Sequence, residues 1–440
     1  MSDLEIGALS ILGILILVYS GVHIAIAMAL LSFGCIWLVR ENFDIAGKMA
    51  ALAATESLQR YEFGVIPLFV LMGLLVSISD IGRDTYDVAN HLFRRVKAGL
   101  GTATVVANAV FAAVTGTSIA SASVFTKIAV PEMLRLGYKP RFAVGVVAGS
   151  SVLGMLIPPS LLLILFGILA ETSIGDLFIA GIVPGIILSV AYAIQIWIVA
   201  TWKPEYVQEG GNLRKSTAPL LTRMEVFKKS APIVILIGLV LGGMYGGVFT
   251  ATEAGGVGAL AAFIITLLRG KLTGPSLWRV LVETGYVTAA ISFLLIAANL
   301  YSRMIAATGI PNEMEAIITH LGLGFYGLMA IYLVIIILMG TILDSGSIML
   351  ITIPIIVPAL AGFQVDLVWL GVVTIIAVEI GLLTPPFGVA VFVVQQNLKE
   401  TGISLNDIFA GAAPFAVTMF VVLCLVTAFP QLALWLVNLK

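Results

Sequence analysis

The chain has 440 residues, of which 60% are hydrophobic and 11% are charged, and its formal net charge is −1. Soluble domains carry about 25% charged residues, so this composition excludes an ordinary soluble fold. Apolar runs of roughly 20 residues recur along the chain and predict an all-α polytopic membrane protein. The near-neutral charge and the absence of a basic patch interleaved with aromatic residues give no indication of nucleic-acid binding.

Residue types that carry catalysis are sparse. Cys35 and Cys424 lie alone in apolar segments, and the three histidines are scattered, which predicts no disulfide, redox centre or cofactor. No nucleotide-binding, zinc-protease or serine-hydrolase motif is present, so neither ATP hydrolysis nor another familiar enzyme activity is indicated. The first residues lack the positive region and cleavage site of a signal peptide, so we expect the first apolar run to remain as a helix.

In chain order, the first half begins with two predicted spans, about 6–20 and 22–39, and a segment, 40–61, read as an interfacial amphipathic helix. A span at 62–79 follows. The apolar stretch 98–130 lies between two loops rich in Lys and Arg, which are typical of the cytoplasmic side. Because this stretch is short for two crossings and a turn, and "VTGTSIASAS" lies at its centre, we predict a re-entrant hairpin. Two short spanning helices are the alternative.

The remaining predicted spans are 142–168, 177–201, 231–248, 250–268, 284–308, 368–395 and 408–437. A linker between them, 202–230, is rich in Lys and Arg and is expected to be cytoplasmic. A second interfacial segment is expected at 271–283. The apolar stretch 326–360, with "MGTILDSGS" at its centre, predicts a second re-entrant hairpin whose flanks lack Lys and Arg. These flanks are expected outside, as are both chain termini.

The two halves of the chain share landmarks at a constant spacing. The offset that separates Pro158-Pro159 ("MLIPPS") from Pro385-Pro386 ("LLTPPF") also separates Pro131 from Pro358. Opposite loop charges on the two copies predict an inverted-topology repeat, which is common in secondary transporters. The predicted organisation is scaffold helices with an interfacial segment (1–61), repeat 1 (62–201), the linker (202–230), central scaffold helices with an interfacial segment (231–283) and repeat 2 (284–437).

In each repeat, a helix is predicted to be broken at two places within segments apolar enough to lie in a membrane. These places are the hairpin tip and the Pro-Pro pair. Free carbonyls and hydroxyls there suit Na⁺, and free N–H groups suit an anion. The predicted Na⁺ ligands are Thr115, Gly116, Thr117, Ser118, Ser150, Gly154, Pro158, Thr341, Asp344, Ser345, Gly381, Thr384 and Pro385. The predicted substrate contacts are Ser118, Ser151, Ser345, Ser347, Arg303 and Glu379.

Simpler interpretations stand beside these. Serine and threonine in membrane helices often bond only their own backbone, and glycines often only permit close packing. Asp344 is an intramembrane carboxylate, yet it also suits the N-cap of the second hairpin arm. Arg303 is expected either to pair with Asp344 or Glu379, to meet an anionic substrate, or to extend to an interface. Glu253 fits a capping box with Thr250.

The stretches "LGGMYGGVFTATEAGGVGALAAFII" (241–265), "MLIPPS", "GLLTPPFGVAVFV" and "MGTILDSGS" resemble the large membrane subunit of tripartite ATP-independent periplasmic (TRAP) transporters. The resemblance runs over nearly the whole chain. It implies import of an organic anion, of the carboxylate or sulfonate class, coupled to Na⁺ as the only metal. It also implies a scaffold with a mobile, elevator-type transport domain in a bacterial inner membrane.

The resemblance further implies two partners, a small four-helix membrane subunit and a periplasmic substrate-binding protein that delivers the anion. Family members often show Asn where this chain has Ala377 and Ala390, which puts the substrate geometry near the second break in doubt. The alternative function is a Na⁺/anion symporter of similar design that works without a binding protein. A membrane enzyme or scaffold is disfavoured because the sequence shows no nucleophile or metal cluster.

Overall fold

A computed structural model describes residues 2–211, 220–322, 324–398 and 402–439, and within these ranges the chain folds into helices joined by short turns. Outside the two repeats, the main helices are Asp3–Tyr19, Ile24–Arg40, Phe43–Gln59, Arg223–Ile237 and Ala251–Leu268. The all-helical prediction is therefore confirmed. Two of the linker's basic residues, Arg214 and Lys215, lie outside the described residues.

The two repeats contain corresponding helices in the same order, apart from the short helix Leu153–Leu156, which occurs only in the first. Repeat 1 is built from Val65–Ile78, Ile81–Phe93, Gly99–Thr115, Ser118–Arg135, Pro140–Ser151, Leu153–Leu156, Leu161–Leu169 and Ile174–Trp202. Repeat 2 is built from Gly274–Ala307, Ile310–His320, Phe325–Gly340, Ser345–Ala359, Leu367–Gly381, Val389–Gln396 and Leu405–Ala428. Ser118 and Ser345 begin corresponding helices, and they are separated by the same offset as the two Pro-Pro pairs.

Each repeat contains a helical hairpin. We call Gly99–Thr115 with Ser118–Arg135 hairpin 1, and Phe325–Gly340 with Ser345–Ala359 hairpin 2. Their arms are 15 to 18 residues long. At 1.5 Å per residue they are about 23–27 Å long, less than the roughly 30 Å of a bilayer's hydrocarbon core. The hairpin boundaries agree with the predicted 98–130 and 326–360, and re-entry from one side stays a prediction.

Each repeat also contains a helix broken at its Pro-Pro pair. Broken helix 1 runs through Pro140–Leu156 and resumes at Leu161–Leu169 with a bend of 41°. Broken helix 2 consists of Leu367–Gly381 and Val389–Gln396. Both Pro-Pro peptide bonds are cis. Ser160, whose hydroxyl accepts from the Leu163 N–H at 3.3 Å, caps the helix that follows the first break.

The two repeats are joined where a broken helix of one packs on the last helix of the other. A Cβ on Gly145 of broken helix 1 would lie 2.2 Å from the Gly411 carbonyl oxygen in Leu405–Ala428. A Cβ on Gly371 of broken helix 2 would lie 2.7 Å from Leu177 in Ile174–Trp202. These glycines let the helix backbones approach closely, as small residues do in membrane bundles.

Several predicted boundaries are wrong. Helix Arg223–Ile237 starts inside the predicted linker, because Thr222 and Glu225 form a capping box. The predicted interfacial segment 271–283 is not separate, since it belongs to the 34-residue helix Gly274–Ala307, which no proline interrupts after its first turn. Of the two Lys- and Arg-rich loops predicted beside 98–130, the first, 80–97, contains the helix Ile81–Phe93.

The sequence predicts ten spanning helices, and fewer in the described residues are long and apolar enough to cross a bilayer. Six qualify, or seven when broken helix 1 counts as one span. Ile24–Arg40 and the two parts of broken helix 2 are shorter. Six to seven spans of this kind still make the chain a multi-pass membrane protein.

Candidate functional site

Each hairpin tip is hydrogen-bonded to the backbone that follows a Pro-Pro pair. The Leu161 N–H donates to the Gly116 carbonyl at 3.1 Å, and the Phe387 N–H donates to the Thr341 carbonyl at 3.0 Å. Backbone groups freed by a helix break must find partners where water is scarce. In both repeats, therefore, a backbone N–H that follows the Pro-Pro pair is hydrogen-bonded to a carbonyl of the hairpin tip.

A glycine in each broken helix makes room for the hairpin tip. A Cβ on Gly154 would lie 2.6 Å from the Thr117 carbonyl oxygen, and a Cβ on Gly381 would lie 2.5 Å from the Gly340 Cα. Both distances are shorter than a van der Waals contact allows, so a side chain there would displace the tip. Gly154 and Gly381 occupy equivalent positions in the two repeats, and both belong to the predicted site.

A small cavity of about 20 Å³ lies at the tip of hairpin 1. Thr115, Gly116 and Thr117 line it together with Pro159 and Ser160 of the first break. A space of about 10–15 Å³ or more is enough for one water molecule, so this cavity has the size for one small ligand. Three of the predicted Na⁺ residues therefore line a single small space.

The simpler interpretation of the hydroxyls is confirmed for several predicted Na⁺ residues. The side chains of Thr115, Ser150, Thr341 and Thr384 donate to carbonyls of their own helices, at 2.6 to 3.0 Å. A hydroxyl that donates its proton in this way still has oxygen lone pairs. The arrangement is therefore compatible with cation binding.

A second cavity, of about 210 Å³, lies where both hairpin tips meet, and we call it the hairpin cavity. Ser118 faces it from hairpin 1, and Asp344, Ser345 and Gly346 face it from hairpin 2, while its other walls are largely apolar. With about 30 Å³ per water in the liquid, it has the volume of roughly seven waters. Ala390 is part of the wall.

Asp344 is the N-cap of the second arm of hairpin 2. Its carboxylate accepts from the Ser347 N–H at 3.1 Å and also from the Ser347 hydroxyl. The capping interpretation is therefore confirmed. Because Asp344 also lines the hairpin cavity, one carboxylate both fixes the tip and puts negative charge beside the cavity.

The other predicted substrate residues do not share the hairpin cavity. Ser151 and Glu379 are fully buried away from it, and the Ser151 hydroxyl donates to the Ala148 carbonyl at 2.8 Å. Ser347 is engaged with Asp344. Arg303 pairs with Glu56 at 2.5 Å, so the expected pairing with Asp344 or Glu379 is wrong. Only Ser118 and Ser345 of the six lie on this cavity.

Glu379 nonetheless belongs to the same region. The Ser118 hydroxyl donates to its Oε2 at 2.9 Å, while its Oε1 has no hydrogen-bond partner in the described part of the chain. Glu379 thus lies behind Ser118, which separates it from the hairpin cavity. A buried carboxyl group with an unpartnered oxygen is a functional candidate.

Asn108, in the first arm of hairpin 1, is a polar residue that the sequence analysis missed. It is fully buried, donates to the Ser150 hydroxyl oxygen at 2.7 Å, and its Oδ1 has no partner among the described residues. Ser160 was missed as well, although it lines the small cavity. An amide in the middle of an apolar helix is the signal that could have identified Asn108.

The capping box predicted for Glu253 is also present. The Glu253 N–H donates to the Thr250 hydroxyl oxygen at 3.3 Å, and the Thr250 N–H donates to the Glu253 carboxylate at 2.9 Å. Glu253 is therefore a structural residue that starts the helix Ala251–Leu268.

Comparison with known proteins agrees with this architecture. The family described as "Tripartite ATP-independent periplasmic transporter, DctM component" matches residues 11–432. The C4-dicarboxylate TRAP transporter large permease protein DctM of Pseudomonas aeruginosa is 32% identical over 389 residues, covering 88% of this chain and 89% of that protein. The sialic acid TRAP transporter large permease protein SiaM of Vibrio cholerae is 28% identical over 434 residues, covering 98% of each.

A solved structure shows the same fold at low sequence identity. The YdaH transporter of Alcanivorax borkumensis superposes with a TM-score of 0.60 at 12% identity, over 84% of each chain. The family match spans nearly the whole sequence. The matched residues include both hairpins and both broken helices. The chain belongs to the DctM family and is the large permease subunit of a tripartite ATP-independent periplasmic transporter.

Proposed function

We propose that this permease imports an organic anion bearing a carboxylate, and that inward movement of Na⁺ drives the import. The chain is a transport component and not an enzyme, like the permeases that it resembles. Relatives named for C4-dicarboxylates and for sialic acid have carboxylate cargo in common. Carboxylate is accordingly the substrate chemistry that we propose.

The observation that carries the proposal is the meeting of both hairpin tips at one cavity. Ser118 and Ser345, which begin equivalent helices of the two repeats, face the same 210 Å³ space. The small cavity lined by Thr115, Gly116 and Thr117 supplies a space of ion size next to it. Na⁺ is a hard cation that prefers oxygen ligands, which these carbonyls and hydroxyls offer.

Elevator movement is part of the proposal. The hairpins and broken helices form the moving unit, and helices Val65–Ile78, Ala251–Leu268 and Gly274–Ala307 belong to the fixed scaffold. Helix Val65–Ile78 contacts the hairpin 1 tip at Gly73, where a Cβ would lie 2.8 Å from the Thr115 carbonyl oxygen. The proposed movement requires this contact between scaffold and moving unit to slide or break.

A TRAP permease works with other components. We propose that a periplasmic binding protein delivers the anion to this chain, and that a small four-helix membrane subunit supports the scaffold. The assembly lies in the inner membrane of a bacterium, with both termini of this chain on the periplasmic side. Na⁺ is the coupling ion, and the proposal includes no further cofactor.

Uptake into proteoliposomes tests the proposal. The purified permease, with its small subunit, is reconstituted and given a radiolabelled carboxylate, the periplasmic protein encoded beside it, and an inward Na⁺ gradient. Uptake that requires both the gradient and the periplasmic protein is expected. Uptake without the periplasmic protein would favour the stand-alone symporter. Uptake that ignores Na⁺ would contradict the coupling.

A further inference from the structure

Two cavities away from the hairpin tips lie on either side of one ion pair. The larger has a volume of about 700 Å³ and the smaller about 250 Å³. Arg60, Ile168 and Glu171 line both, and Arg60 pairs with Glu171. Because the linker after span 177–201 is predicted to be cytoplasmic, Glu171, before the other end of that span, is expected on the periplasmic side. This is the side from which the substrate is expected to arrive.

The smaller cavity contains a second pair of the same kind. Arg303 pairs with Glu56 at 2.5 Å, and its Nε donates to Asn299 at 2.9 Å. In both pairs the acid is more exposed than the base. The side chain of Glu56 is 47% exposed against 25% for Arg303, and that of Glu171 is 69% exposed against 36% for Arg60.

This asymmetry has a chemical consequence. The guanidinium groups are the better-fixed partners, whereas the carboxylates can turn into water at little cost, since exposed ion pairs contribute about 0–1 kcal/mol. A guanidinium presents its donors in a planar fork that matches any carboxylate. The two glutamates therefore occupy positions that the carboxylate of an incoming anion also fits.

We propose that Arg60 and Arg303 form an outer anion-binding site, at which a carboxylate of the substrate displaces Glu171 and Glu56 before it reaches the hairpin cavity. This inference rests on the proposed import of an organic anion. It adds Arg60 as a substrate contact and gives Arg303 a place on the route, separate from the hairpin tips.

The outer site and the hairpin cavity follow one another along two shared helices. In Gly274–Ala307, Leu294 lines the hairpin cavity and Leu295 lines the smaller outer cavity. In Leu161–Leu169, Leu165 lines the first and Ile168 the second. The two cavities are therefore neighbours on the same pair of helices.

A purely structural role for these ion pairs predicts a different mutational pattern. If the pairs only hold a conformation, removing either partner acts in the same direction. If the arginines bind the anion and the glutamates compete for them, removing the base weakens anion binding and removing the acid strengthens it. Variants that remove one charge at a time, Arg303→Gln against Glu56→Gln and Arg60→Gln against Glu171→Gln, separate these two cases.

Uptake provides the first measurement, with radiolabelled succinate and N-acetylneuraminate as probes. We expect each arginine variant to raise the half-saturating substrate concentration about tenfold, because a charge-assisted hydrogen bond contributes about 1.5–3 kcal/mol. Each glutamate variant should lower it about threefold, by removing the competing carboxylate. The half-saturating Na⁺ concentration should stay unchanged. Shifts in the same direction for base and acid would overturn the anion site.

A binding measurement that needs no transport provides the second. Ser302→Cys places a thiol on the smaller cavity, in a Cys424→Ser background because Cys424 is the exposed native cysteine. We expect succinate or N-acetylneuraminate, compared with sodium chloride of equal ionic strength, to slow alkylation of the introduced thiol by N-ethylmaleimide. Arg303→Gln should abolish the protection and Glu56→Gln should increase it.

Thr55→Cys is the matched control, since Thr55 is exposed on the helix that carries Glu56 but lines neither cavity. Its alkylation should not respond to either anion. Protection without Na⁺-driven uptake would preserve the outer site and contradict the proposed transport. Na⁺-driven uptake without protection by either probe would support the proposed transport and contradict the outer site.

Discussion

The Ser118 hydroxyl, at the tip of hairpin 1, donates a 2.9 Å hydrogen bond to the carboxyl group of Glu379 in broken helix 2, 261 positions further along the chain. This bond joins the two repeats directly beside the hairpin cavity. It also provides the only hydrogen bond found for the Glu379 side chain in the described part of the chain. A movement of the hairpin 1 tip therefore strains or breaks this hydrogen bond to the second repeat.

Ser118→Ala should lower both stability and uptake, because it leaves a buried carboxyl group without its partner. An unsatisfied buried polar group costs about 1–3 kcal/mol, more when it is charged. The thermal unfolding midpoint of the detergent-solubilised protein and the initial uptake rate are the measurements. Ser77→Ala is the control, since the Ser77 hydroxyl donates only within its own helix, to the Gly73 carbonyl. An equal loss in both variants would contradict the proposed link.

Gly154→Ala and Gly381→Ala should both abolish uptake, because the added methyl group collides with a hairpin tip. The new Cβ would lie 2.6 Å from the Thr117 carbonyl oxygen in the first variant and 2.5 Å from the Gly340 Cα in the second. Gly285→Ala is the matched control, since nothing lies within 4 Å of its added Cβ in the helix Gly274–Ala307. It should retain uptake and gain about 0.5–1 kcal/mol of helix stability. Full uptake in either of the first two variants would argue against close packing at the tips.

Asp344→Asn and Asp344→Ala should separate the cap from the charge. Asparagine still caps a helix, so stability should be retained, whereas alanine should lose about 0.5–2 kcal/mol. If the charge at the hairpin cavity contributes to Na⁺ binding, both variants raise the half-saturating Na⁺ concentration in the uptake assay. An unchanged Na⁺ dependence in Asp344→Asn would reduce Asp344 to its capping role.

Asp84→Asn should destabilise the predicted cytoplasmic face. Asp84, 18% exposed, accepts from Lys229 at 2.8 Å and from Arg269 at 2.6 Å, which ties helix Ile81–Phe93 to two scaffold helices. We expect a loss of about 1–2 kcal/mol, smaller at high salt. Arg135, whose side chain is 62% exposed in its pair with Glu132, provides the comparison, and Arg135→Gln should change the unfolding midpoint little. Equal effects in the two variants would contradict the importance of partial burial.

The sequence predicts the repeated elements of this fold well, because each element is marked by residues within its own stretch of the chain. The constant offset between the halves, the polar hairpin centres and the Pro-Pro pairs locate both hairpins and both broken helices to within a few residues. The start of the helix at Arg223 could also have been predicted from the sequence, since Thr222 and Glu225 match a capping box.

Contacts between distant segments lie beyond such reasoning. Nothing in the local sequence pairs Arg303 with Glu56, Ser118 with Glu379 or Asn108 with Ser150, because each pairing depends on how separate helices pack. Of the six predicted substrate residues, only Ser118 and Ser345 accordingly line the hairpin cavity, and their role stays a prediction. Polar residue types at helix breaks indicate where a site lies, while the side chains that face its cavities are decided by tertiary packing.

The long helix Gly274–Ala307 supplies a depth scale for the bilayer. Its charged residues near the start, Arg279 and Glu283, and Arg303 near the end bound an uncharged stretch. From Glu283 to Arg303 is about 30 Å along the axis, the thickness of the hydrocarbon core. The halfway point falls between Ile291 and Leu294, the two residues of this helix that line the hairpin cavity. We therefore expect the hairpin cavity near the bilayer midplane and Arg303 near the headgroup boundary, about half the hydrocarbon thickness away.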